Sequence, residues 1–147
     1  MYRNILLCYD GTEEGRNALT EGADVALAMK ARTHLLAILR STGADLALES
    51  PGAALLVDDH QGAVRVLQEG VDWLKSRHID AEGQLVFGDP ASHIATCARA
   101  LGSDLIVVGH HHRSRLARWW GEAEDALLLE SAPCSILVAI AGTPAKP

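Results

Sequence analysis

Five continuous apolar runs, separated by segments with helical spacing, constrain what this 147-residue chain can fold into. The runs are Asn4 to Tyr9, Thr33 to Leu39, Gln84 to Phe87, Leu105 to Val108 and Ser135 to Ile140. A strand with one face in water alternates apolar and polar residues, whereas an uninterrupted run suits a strand covered on both faces, as in a parallel sheet. Between the runs, apolar residues recur at helical intervals: Ala18, Gly22, Val25 and Met29; Val64, Leu67, Val71 and Leu74; Ile94, Ala98 and Leu101; Leu116, Trp119, Ala123 and Leu127. This alternation predicts right-handed crossovers and an open, doubly wound α/β sheet with helices on both faces. Ligands of such sheets sit at the carboxyl ends of the strands, where the strand order reverses.

Boundary chemistry supports the same order. Thr12 is placed to cap the first helix, with Glu13 and Glu14 in the opening turn where the helix dipole favours acids. Asp89 and Pro90 predict a carboxylate cap and a first-turn proline for the third helix, and Gly102 its stop. Arg40 to about His60 reads as one long connection, in which Ala53 to Val57 is apolar enough to fold back over the end of the sheet. One domain is expected over residues 1–141, followed by a loose tail at 142–147.

A formal charge of −6 provides no global field to draw the protein onto nucleic acid or anionic lipid. Neither is an expected partner. The opening MYRNILLCYDG is too short an apolar stretch for a signal peptide or a membrane span, so a cytoplasmic location is expected. Cys8, Cys97 and Cys134 lack metal-site spacing and cationic neighbours, and read as buried thiols.

Four stretches taken in order resemble the universal stress protein family: NILLCYDGT; GDPASHIATCARALGSDLIVVGHHHRSRLARWWG; SAPCSILVAI; and the long loop and helix between the first two. As a set, the acid closing the first strand, the glycine and proline before the third helix, DLIVVG, and the alanine, proline and cysteine before the last strand are specific. The resemblance implies a single-domain five-stranded parallel sheet in the order 3-2-1-4-5, of the adenine-nucleotide α-hydrolase-like type. It also implies a homodimer formed through the last strand, here Ile136 to Ile140.

Family members that bind ATP carry a phosphate loop after the fourth strand: glycine, two residues, glycine, nine residues, glycine, then serine or threonine. Here Gly109 matches the first glycine, His112 replaces the second, and Gly121 arrives one residue early. Glu122, Ala123 and Glu124 occupy the hydroxyl positions. A carboxylate about 4 Å from a phosphate costs on the order of 1 to 4 kcal/mol, tenfold or more in affinity. Opposing this, His110, His111, His112, Arg113, Arg115 and Arg118 form a dense basic cluster with Arg113 and Arg115 as candidate anion contacts.

In the family's binders the residue at Asp10 lies beside adenine, although here it is equally placed to cap its own turn. Ile38 offers backbone groups to a base, or simply fills the core. Gly11 and Gly88 read as turn residues. The histidine run reads as a solvated polar loop rather than a metal site, and its crowding with arginines suggests titration near neutrality. Trp119 and Trp120 are adjacent, so both cannot face inward on one helix; one is available to a cleft or a neighbouring subunit. Asp10, Asp89 and His93 are possible acid and base groups at different strand ends, without a nucleophile. The expected function is therefore a stress-response sensing or interaction module with a degenerate phosphate loop and no catalytic residues. The alternatives are an ATP- or AMP-binding switch using histidine and arginine donors and, more distantly, a weak ATPase.

Overall fold

A computed structural model of the chain describes residues 1–11, 13–39, 53–110 and 122–140, with backbone only at 13–14, 53–60, 110 and 122–125. Nine elements follow in order: β1 (Asn4–Tyr9), α1 (Glu13–Met29), β2 (Arg32–Leu39), α2 (Ala53–Ser76), β3 (Glu82–Phe87), α3 (Pro90–Leu101), β4 (Leu105–His110), α4 (Glu122–Ser131) and β5 (Ser135–Ile140). The strands form one sheet in the order β3-β2-β1-β4-β5, with every neighbouring pair parallel. The tail, Thr12 and residues 40–52 lie outside the described residues.

Side chains of the central strands alternate between two cores. Ile5, Leu7 and Tyr9 of β1, Leu35 of β2 and Val107 of β4 pack with Ala18, Leu19, Ala23 and Ala26 of α1 and Leu74 of α2. Leu6 and Cys8, Leu36 and Ile38, and Ile106 and Val108 face the other way, against Ala91, Ile94, Cys97 and Ala98 of α3 and Leu128 of α4. Gly22 allows α1 to approach this closely, because a Cβ there would collide with the Leu7 side chain.

At the amino end of the sheet, the Asp104 carboxylate accepts the backbone N–H groups of Arg3 (2.8 Å) and Asn4 (3.0 Å). Asp104 N in turn donates to Asn4 O at 2.9 Å, and Asn4 Nδ2 donates to Gly102 O at 3.2 Å. These bonds lock the start of β1 to the start of β4. Next to Asp104, the Ser103 hydroxyl is buried with no hydrogen-bond partner among the described residues.

Several sequence expectations need correction. Ala53 to Val57 does not fold back as a loop but begins α2. On α2, Val64 is 45% exposed, while Ala63 and Leu74 are buried; small residues make the closest approach to the sheet, which a search for large apolar side chains overlooks. On α4, Leu127 is 52% exposed and its neighbour Leu128 is 3% exposed. The inward stripe is thus one residue out of phase with the one expected. Leu116 and Trp119, assigned to the same stripe, lie outside the described residues. β3 begins at Glu82 rather than Gln84, because as an edge strand it pairs with β2 without needing apolar residues on both faces.

Asp89 makes no side-chain cap bond; the backbone closes the turn, His93 N donating to Asp89 O at 3.3 Å. Gly102 ends α3 as expected, with Gly102 N donating to Arg99 O and Ser103 N to Ala98 O. Cys8 and Cys97 are buried, but Cys134 is only half-buried.

Adjacent substitutions at the β4 start should act in opposite directions. Asp104→Ala, which strands two backbone donors, is expected to lower the unfolding free energy by about 1–3 kcal/mol. Ser103→Ala, which removes an unpaired hydroxyl, should leave it unchanged or raise it. Urea titrations of the two variants beside the parent chain measure both.

Candidate functional site

The strand order places β1 and β4 side by side while their connections leave in opposite directions, making this the reversal point of the sheet. The register between them runs from Ile5–Leu105 to Leu7–Val107 and stops two residues short of Tyr9. By contrast, β1 stays paired with β2 as far as Tyr9–Ala37, and β4 with β5 as far as His110–Ile140. The carboxyl ends of β1 and β4 therefore part, and a crevice opens between them.

Asp10 and Gly11 form the β1 lip of this crevice. Asp10 is half-buried, and Gly11 turns the chain with a φ of 82°, a conformation that a side chain disfavours. A Cβ on Gly11 would also lie 3.0 Å from Val66 Cγ2, so the turn is pressed against α2. Ile38 reaches the same end of the sheet one strand away, but its side chain is 2% exposed and packs in the α3 core. Gly109 lies across the gap in β4, paired with Ala139. The structure thus brings Asp10, Ile38 and Gly109 to one end of the sheet. His112, Arg113, Arg115 and Gly121 lie outside the described residues, as do His111, Arg118, Trp119 and Trp120.

Of the possible acid and base groups, Asp10 follows β1, while Asp89 and His93 follow β3, with β2 between the two strands. His93 folds over Gly88, where a Cβ would sit 2.9 Å from His93 Nε2. Among the described residues, no group of three or more histidine, cysteine or acidic side chains is placed to hold a metal ion.

The thiols are set against reactivity. Burial pushes the Cys8 thiol far above its ordinary value of 9.0, with Cys97 and the Asp10 carboxylate adding to the shift. Burial also raises Cys97, while Cys134 is raised by burial and then by Asp104. All three side chains remain protonated at neutral pH.

One feature has no counterpart in the sequence reading: a cavity of about 290 Å³ between α1 and α2, lined by Tyr9, Arg16, Leu19, Thr20, Glu69, Gly70 and Trp73. The only hint was Gly70 within a helical pattern, since an interior glycine often marks a close approach.

A five-stranded parallel sheet in the order β3-β2-β1-β4-β5, with helices on both faces and a reversal point between β1 and β4, defines an open doubly wound α/β protein. The chain matches the model of the universal stress protein family over residues 1–139, and it belongs to that family. Solved structures agree in fold. Universal stress protein UspA from Lactobacillus plantarum is 21% identical with a TM-score of 0.72, the match covering 94% of this chain and 97% of that one. A universal stress family protein from Burkholderia pseudomallei is 25% identical, with a TM-score of 0.70 and coverages of 93% and 95%. A universal stress protein solved in complex with cAMP is 21% identical, with a TM-score of 0.68 and coverages of 93% and 96%. Among curated protein sequences there is no significant match.

Two measurements check this geometry. Gly11→Ala should lose about 1–2 kcal/mol of stability in denaturant titration, because it meets both an unfavourable φ and Val66. The cysteines predict a loss of stability as pH rises past 9.0, where the unfolded chain ionises its thiols and the folded chain does not. Unfolding curves from neutral pH to about pH 10 should show a shallower decline in Cys8→Ala than in the parent chain.

Proposed function

We propose that this universal stress protein is a non-catalytic sensing or interaction module whose crevice does not hold ATP through a phosphate loop. The observation that carries this reading is the sequence after Gly109: His112 stands where a second glycine is needed, and Glu122, Ala123 and Glu124 stand where hydroxyl donors are needed. Backbone amides approach a phosphate closely where glycine removes the Cβ, and carboxylates at that place repel it. Asp10, Gly11 and the Ile38 backbone keep the base-proximal half of the crevice, so the departure is confined to the phosphate side.

A second reading is favoured by the neighbour that was solved with cAMP. In it, the crevice takes ATP or AMP, with His112, Arg113 and Arg115 as donors to phosphate. Thermal shift and calorimetric titration with ATP, AMP and cAMP separate the two. The first reading expects a flat response to all three. Saturable sub-millimolar stabilisation by any of them, lost in Asp10→Ala, would overturn the first reading and establish the second.

The module acts as a homodimer formed through β5. This strand is an edge, and Val138 and Ile140 on it are 42% and 56% exposed, leaving apolar surface beside unpaired backbone groups. Three free cysteines suit a reducing compartment such as the cytoplasm, and no helix among the described residues is long and apolar enough to cross a membrane. Light scattering should give a dimer for the parent chain and a monomer for Val138→Lys. A parent chain that stays monomeric at about 100 μM would remove the edge-strand pairing.

A further inference from the structure

None of Asp10, Gly11, Ile38 or Gly109 lines the cavity between α1 and α2. Its floor is Tyr9 and the α2 backbone at Gly70. A Cβ at Gly70 would fall 2.6 Å from Leu35 Cδ2 and 3.2 Å from Tyr9 Cδ2, so only glycine lets the helix close the floor in this way. Leu19 of α1 and Trp73 of α2 also line the cavity.

Trp73 is held in place by a neighbouring cation. The Arg77 guanidinium lies 5.3 Å from the centre of its ring, and Arg77 is itself fixed to Asp24 of α1 at 2.7 Å. A wall prepared in this way favours a flat aromatic partner, because the indole need not be ordered on binding. At the mouth, Arg16 of α1 faces Glu69 of α2 across 3.9 Å, and Arg16 Nε donates to the Tyr9 hydroxyl at 3.5 Å. Both charged side chains are mostly exposed. The Arg16–Glu69 gap exceeds hydrogen-bond length, and an exposed pair of this kind is weak enough to be rearranged by a ligand.

We propose that this cavity is a separate ligand site for a neutral planar heterocycle of bicyclic size with a lactam edge, an N–H beside a C=O. Size supports a fused ring system, since an apolar cavity of roughly 150 Å³ accommodates benzene and this one is larger. Chemistry selects the edge. Glu69 accepts the ring N–H, Arg16 donates to the carbonyl oxygen, and the two ring faces lie against Trp73 and Leu19. A ligand carrying its own full charge would upset one member of the opposed pair, whereas a neutral donor–acceptor edge satisfies both.

The site goes beyond the crevice reading and is tested without a nucleotide. The probe is 2-quinolinone, with 1-methyl-2-quinolinone as the control that lacks the N–H, followed through the indole N–H resonance of Trp73 assigned by Trp73→Phe. The expected result is a saturable shift of that resonance at sub-millimolar probe, with affinity about tenfold weaker for the methylated control. Arg16→Ala and Glu69→Ala should each weaken binding about tenfold, and Glu69→Ala, which removes only the exposed side of the pair, should keep the parent's unfolding midpoint. Absence of saturation, equal affinity for the methylated probe, parent-like binding by Glu69→Ala, or shifts confined to the Gly11 and Gly109 amides would each overturn the proposal. AMP titrated separately reports on the crevice through those two amides, so failure at one site is distinguishable from failure at the other.

Discussion

Ile5, Leu6 and Leu7 expose none of their surface to water, and three consecutive strand residues reach that state only when helices cover both faces of the sheet. Placing β1 in the middle satisfies this requirement, and the rest of the topology follows. β2 and β4 flank it, β3 and β5 become edges, α1 and α2 close one face, and α3 and α4 close the other. The Asp104 carboxylate then ties the start of β1 to that of β4, so the two central strands share a register at one end and separate at the other. The crevice is a consequence of that arrangement. Both strands must stay packed, yet their chains leave for opposite faces of the sheet.

The same geometry explains why members of one family can share a fold and differ in occupant. The sheet supplies the position of the crevice, but loops supply its chemistry. On the β1 side, Asp10 and Gly11 are held by the strand and by contact with Val66 of α2. On the β4 side, past Gly109, histidines, arginines and acids replace the glycines and hydroxyls that would cradle a string of phosphates. A change there leaves the core untouched, so the fold can persist while its ligand chemistry shifts.

Some elements were legible because their signal is local. β1 and β5 carry continuous apolar runs whose ends match the observed strands, and Gly102 stops α3 where its position indicates. Errors arose where several residues could serve equally. Helical periodicity on α2 fits a stripe through Val64 as well as one through Ala63, and only the approach of α2 to Leu35 and Tyr9 at Gly70 selects the second. Leu127 and Leu128 on α4 pose the same choice. Asp89 stands at the N-cap position that its sequence context indicates, but its carboxylate makes no cap bond, which depends on a side-chain rotamer that the local sequence does not fix.

The sequence by itself determined the fold class and the family, since strand runs and turn residues are properties of contiguous residues. It also placed Asp10, Ile38 and Gly109 at strand ends. Only the tertiary structure decided that the Ile38 side chain belongs to the core, that His93 folds over Gly88, and that Tyr9, Arg16, Glu69 and Trp73 line one cavity. Those facts depend on which strands are neighbours and on how closely two helices approach the same sheet face. Both are set by packing between residues far apart in the chain, and no pattern along the chain encodes such distances directly.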